Sequence, residues 1–220
     1  MKRWIHLWQL KRTRSAGRQN RSPWLPRIAG CLLTATTVML TASGQVSPVK
    51  AVDSGGMSAM MWHQASFPVE NFQAYTSPFG YRSDPYGGGQ RFHYGLDMAA
   101  PSGSYIRSWW GGQVVEVSDD SSCGTSVVVQ SGNWLHIYCH MQGYVVQEGS
   151  DRYMVDGDGG LRIREGQIVD TGTRIGRIGM TGRTTGPHLH WGLKYDENWV
   201  DPALVLHAMY ISQQAQAPSQ

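Results

Sequence analysis

Charge is scarce in this 220-residue chain: Asp, Glu, Lys and Arg make up 16% of it, against about 25% in an average domain. That shortage excludes a long coiled coil and a polyelectrolyte-type disordered protein. Acidic residues are absent before Asp53. The first 52 residues carry nine Lys and Arg and no acid, and the rest sets ten Lys and Arg against all sixteen acids, a net of −6. The body is therefore acidic, which excludes nonspecific nucleic-acid binding, because phosphate contacts need clustered basic groups. Cysteine is nearly missing, with three residues. No apolar run reaches the ~20 residues that span a bilayer as a helix.

Glycine is abundant instead, with 27 residues, and nine Trp lift the aromatic content to 10%. The aromatics can fill a core, and the glycines interrupt it with turns. From Val69 to His207 the chain alternates short apolar runs with glycines, as in Gly112–Val117 (GQVVEV), Val127–Val129 and Arg174–Ile178 (RIGRI). These runs are too short for ordinary amphipathic helices and rich in β-branched residues, so the reading is mainly β. One short helix is expected near the end, where Asp201 can cap, Pro202 suits the first position and ALVLHAMY follows. Residues 52–68 read as a linker, 69–207 as the folded domain and 208–220 as a disordered tail.

Residues 1–51 read as a signal peptide or a signal anchor. Eight basic residues precede an apolar run, Ile28–Ala42, and small residues follow it. That is the order of a secretory leader. Cleavage after Gly44 or after Ala51 suits the small-residue rule. An organelle transit peptide shares the basic, acid-poor composition, and Ile28-Ala29-Gly30-Cys31 resembles a lipobox, though it begins the apolar run instead of ending it. Membrane attachment, where it occurs, is confined to this segment. Removal of the leader leaves Cys123 and Cys139. Thr125–Gln130, a turn at Ser131-Gly132-Asn133 and Trp134–Tyr138 form a hairpin that brings Cys123 or its neighbours opposite Cys139. The pair is either a disulfide, worth about 3 kcal/mol for a loop of that length, or two buried thiols. A bridge would agree with an exported, oxidising location.

Two histidine spacings carry chemistry. His93 and Asp97 stand four apart, and His188 and His190 two apart. On a strand both spacings return to one face. Two imidazoles and a carboxylate suit zinc, whose catalytic sites keep three protein ligands and one open position. Around these residues lie longer motifs. Ser77–Pro85 (SPFGYRSDP) followed by Phe92–Pro101 (FHYGLDMAAP), Tyr138–Met141 (YCHM), and Gly176–Gly182 (GRIGMTG) followed by Thr185–Gly192 (TGPHLHWG) occur in that order.

Together these motifs resemble the lysostaphin/LytM-type zinc endopeptidases, over about Thr76 to Leu204. The resemblance implies a compact antiparallel β-sheet domain with the metal in a groove, and peptide-bond hydrolysis in the stems or cross-links of bacterial peptidoglycan. It makes His93, Asp97 and His190 the ligands of one Zn²⁺, and His140 and His188 the catalytic histidines. Some relatives have lost ligands and act as silent peptidoglycan-binding or regulatory domains, which is the alternative here. All five positions are filled. Cys139 and Met141 depart from the usual residues around His140.

His136, four residues before His140, either lines the groove, contacts a second metal or is a solvated strand histidine. Gln147–Leu161 reads as an insertion: a mobile flap or loop, or, through Asp156 and Asp158, a calcium site lacking the full ligand spacing. Tyr94, Trp109, Trp110, Trp134, Tyr138 and Trp191 are divided between groove lining and core. Arg82, Arg91 and Arg183 flank the motifs, where they either meet substrate carboxylates or stand as solvated charge.

Overall fold

The glycine-bounded runs fold as strands in the computed structural model, which describes residues 59–216. A 3₁₀ turn, Ala59–Gln64, leads into β1 (Ala74–Ser77), β2 (Gly80–Ser83), β3 (Gln90–His93), β4 (Leu96–Ala99) and β5 (Tyr105–Arg107). The middle of the chain gives β6 (Gly112–Ser118), β7 (Ser126–Ser131) and β8 (Trp134–Cys139). Then come β9 (Tyr144–Glu148), β10 (Asp151–Asp156), β11 (Leu161–Arg164) and β12 (Ile168–Val169). The last elements are β13 (Arg174–Arg177), β14 (His188–Tyr195), β15 (Asn198–Val200) and helix α1 (Pro202–Gln216). The expected leader, with Cys31, lies outside the described residues. No helix among the described residues is long and apolar enough to cross a membrane.

Eight strands form the main antiparallel sheet, in the order β1-β4-β14-β8-β7-β6-β12 with β15 also on β14. Strand β14 is its spine, pairing with β4 through His188–Trp191 and with β8 through His190–Tyr195. One sheet face carries Met98, Tyr138, Leu189, Trp191 and Leu193, all fully buried, over Trp109. Burying side chains of this size contributes about 1.5–3 kcal/mol each. Trp109 meets Trp134 and Trp191 edge-on, with centroids 5.5 and 5.8 Å apart, a favoured aromatic geometry. The Tyr138 hydroxyl accepts the backbone N–H of Trp109 at 2.8 Å, so the buried phenol is not left unsatisfied.

Five expectations need correction. His136 is not solvated and lines no groove: alternation along β8 puts it on the inner face with Trp134 and Tyr138, fully buried and 4.9 Å from the Trp109 ring. Burial pushes its imidazole down to about 3. The 147–161 segment is not a simple loop, because β9, β10 and β11 pair as a three-stranded antiparallel sheet. Asp156 is unavailable for calcium, being buried and held by Arg177 through Nε at 2.6 Å and Nη2 at 2.7 Å.

The remaining two corrections share one cause. The linker reading fails for its second half and the tail reading for residues 208–216, since α1 runs to Gln216 and packs against the 3₁₀ turn. Gln213 Nε2 donates to the Ala65 carbonyl at 3.0 Å and to that of His63 at 3.4 Å, joining the two segments. Ala and Gln are good helix formers, so the polar tail extends the helix once an anchor exists.

Candidate metal centre

The antiparallel register of β4 and β14 places His190 directly opposite Asp97. His93 closes β3, and the turn through Gly95 carries the chain into β4. Gly95 is required by space: a Cβ there would lie 2.5 Å from His190 Cε1. The strands thus press one ring, one carboxylate and a second ring together. His93 Nε2 lies 3.0 Å from Asp97 Oδ1 and 2.9 Å from His190 Nδ1, and His190 Nδ1 lies 2.9 Å from the same carboxylate oxygen.

Backbone carbonyls set the tautomers, because a carbonyl only accepts and the ring nitrogen facing it must carry hydrogen. His93 Nδ1–H donates to the Pro78 carbonyl at 2.8 Å, leaving a lone pair on Nε2. That lone pair and the Asp97 carboxylate oxygen are two acceptors in contact, an arrangement that calls for a cation between them. The donor set, two imidazole nitrogens and one carboxylate oxygen, fits a borderline divalent ion such as zinc. Ligand atoms of His93, Asp97 and His190 all lie within 4.8 Å of one another. The three residues fit the group that the resemblance implies.

Two more imidazoles flank the cluster. His188 Nδ1–H donates to the Gly186 carbonyl at 2.9 Å, and its Nε2 lies 3.5 Å from Asp97 Oδ1. His140 Nδ1–H donates to the Thr181 carbonyl at 2.9 Å, and its ring centroid is 4.9 Å from that of His188. Burial pulls His140 down to about 4, helped by the neighbouring His188 and His190 and opposed by Thr181 and Asp97. Burial favours a neutral Asp97, yet the ring nitrogens of His188, His190 and His93 that face it would donate to the carboxylate when protonated, and in the absence of an ion this holds its carboxyl far below the usual range. Burial lowers His190 despite Asp97. In His188 burial acts the same way, but its hydrogen bond and charge attraction to Asp97 outweigh it and raise the ring.

His140 stands just past the end of β8 with φ +61°, a left-handed conformation that costs a non-glycine residue about 1–2 kcal/mol. Its surroundings hold it there. Its N–H donates to the Cys123 carbonyl at 2.8 Å and its carbonyl accepts from Gly179 at 2.9 Å. Cys123 is bonded to Cys139, confirming the bridge, with a Cα separation of 4.9 Å. The Thr181 hydroxyl accepts from Thr125 N–H at 2.8 Å and donates to the Met141 carbonyl at 2.8 Å. Gly182, at φ +71°, packs so closely that a Cβ would lie 2.4 Å from Gly124 N. A disulfide-closed loop and the Thr181 loop together fix this imidazole.

The structure therefore brings all five expected residues into one cluster. Of the aromatics considered for the groove, Trp109, Trp134, Tyr138 and Trp191 belong to the core, Trp110 is half-buried, and Tyr94 is 48% exposed. Thr181 and the carbonyls of Pro78 and Gly186 went unrecognised in the sequence, since a main-chain acceptor has no residue signature.

The model of peptidase family M23 matches residues 91–151 and 153–202, a span containing all five. The chain belongs to peptidase family M23. Among its relatives, the DD-carboxypeptidase/endopeptidase Mpg of Neisseria meningitidis is 31% identical over 131 residues, covering 59% of this chain and 26% of that one. The peptidoglycan DD-endopeptidase ShyA of Vibrio cholerae is 35% identical over 102 residues, 46% of this chain and 20% of that one. The alignments thus span about a quarter or less of those relatives. A zinc-containing peptidase from Vibrio cholerae is a structural neighbour, 27% identical, with a TM-score of 0.48 over 69% of this chain and 40% of that one.

Proposed function

We propose that this chain is a zinc-dependent endopeptidase acting on peptide bonds of bacterial peptidoglycan outside the cytoplasm. The observation that carries the reading is the convergence of His93 Nε2, Asp97 Oδ1 and His190 Nδ1 within about 3 Å of one another, beside two further imidazoles. Zinc held by these residues would polarise the scissile carbonyl and acidify water. Asp97 supplies the fixed negative charge, and His93 and His190 supply neutral nitrogens. His140 and His188 have committed Nδ1 to carbonyls, so each presents Nε2 for proton work. Between them they accept the proton of the attacking water, steady the developing oxyanion and return a proton to the leaving amine.

Membership of M23 and the names of the relatives support peptidoglycan as substrate, and relatives named as a DD-carboxypeptidase/endopeptidase and a peptidoglycan DD-endopeptidase make the cross-link the first bond to test. The disulfide agrees with an oxidising compartment, as does the basic leader. Purified protein should release muropeptides from isolated sacculi, read by mass spectrometry, with release stopped by a chelator and restored by zinc. Sacculi that bind the protein but keep an unchanged muropeptide profile would instead identify a silent binding domain.

A further inference from the structure

Arg82 is an arginine beside the metal-ligand cluster with little to hold it. It lies on β2 opposite Arg91 of β3, and its side chain is 27% exposed. Its Nη2 is 3.8 Å from Asp97 Oδ2, an ion pair too long for a hydrogen bond. Its Nε is buried and has no hydrogen-bond partner. A buried donor without an acceptor is costly unless a ligand completes it. This guanidinium therefore stands beside Asp97, the proposed carboxylate ligand.

The neighbouring charges do not satisfy it. Arg91 and Arg183 both turn to Asp84, at 4.0 and 3.4 Å, and Arg183 stacks on Tyr86 at 4.2 Å. Asp97 directs its other oxygen at His93 and His190. This flank of the cluster carries three guanidinium groups against Asp84 and a carboxylate engaged elsewhere, so its charge complement is an anion. A guanidinium matches a carboxylate through two parallel N–H···O bonds, and such pairs are stronger than neutral hydrogen bonds.

We infer that Arg82 is a specificity residue that binds a free carboxylate of the peptide substrate next to the scissile bond. This rests on the peptidase reading above and adds a substrate class to it: peptides bearing a carboxylate at that position are preferred to the same peptides amidated. Two synthetic peptides, identical except for that group, test it on the zinc-loaded protein. Unaltered protein should favour the carboxylate peptide about 10- to 100-fold in kcat/KM, the range for a hydrogen bond to a charged group. Arg82→Gln should bring the ratio towards one, mainly through KM on the carboxylate peptide, and Arg82→Lys should restore part of it.

Calorimetric binding of the same peptides reads the ratio without cleavage. Selective binding that depends on Arg82, with neither peptide cut, would sustain this assignment and overturn the peptidase reading. Equal cleavage of both peptides by the unaltered protein would overturn the assignment and leave the peptidase reading standing. Equal losses on both peptides in Arg82→Gln, accompanied by lost zinc, would overturn it too and make Arg82 a support for Asp97.

Discussion

Asp97 and His190 face each other across two hydrogen-bonded strands, whereas His140 sits beyond a strand end in a left-handed conformation. The first pair inherits its geometry from the main sheet, whose other face is filled with buried aromatics. The second position depends on contacts outside the sheet ladder: the Cys123 carbonyl, the Thr181 carbonyl and the bridge that closes the 123–139 loop. In the proposed reading the difference separates two tasks. Holding an ion calls for a rigid, short-range constellation. Placing a proton-transfer group calls for an imidazole steered from outside the sheet, which loops and a covalent clamp provide.

Substitutions should divide along that line. His190→Ala removes a ligand, so zinc content and muropeptide release should vanish together, with activity down about 10³-fold or more; elemental analysis alongside turnover checks it. His140→Ala should keep one zinc per chain and lose about 10²- to 10⁴-fold in turnover. Replacing Cys123 and Cys139 together by Ser should lower stability by about 3 kcal/mol in denaturant melts. Because the clamp serves His140, turnover should fall in that variant while zinc affinity holds.

The mildest effect at neutral pH belongs to His136, two strand positions from Tyr138 and buried in the sheet's core. Its folded value near 3 lies below the unfolded value near 6.5. Below pH 6.5 the unfolded chain therefore takes up a proton that the folded chain refuses. Stability falls as pH drops from about 6.5 towards 3, by up to about 1.4 kcal/mol per pH unit from this group. His136→Phe should flatten that acid limb in urea melts between pH 6 and 4 while changing little at pH 7.

The sheet-borne half of the site was the more legible in sequence. His188…His190 reveals itself because strand periodicity ties spacing to facing, whereas His93 and Asp97 stand on two successive strands and are brought together by the turn through Gly95, not by one strand's alternation. His140 emerged only from its resemblance to a longer motif, since nothing local announces a left-handed residue held by distant carbonyls. His136 was misplaced because its four-residue spacing was counted to His140, which lies past the strand end at φ +61° and so does not mark the face that His136 occupies. In the 147–161 segment the available signal was Gly149-Ser150, a two-residue turn between Glu148 and Asp151, which pair across β9 and β10. The linker and tail lacked periodicity because each finds its partner in the other.

The central claim is that His93, Asp97 and His190 alone supply the protein donors of a single divalent ion. X-ray absorption at the zinc edge, on protein reconstituted to saturation, addresses it directly. One zinc per chain, with two imidazole nitrogens and one carboxylate oxygen at about 2.0–2.2 Å, is the predicted result. A chain that binds no zinc, or a shell containing a third imidazole from His140 or His188, would contradict it.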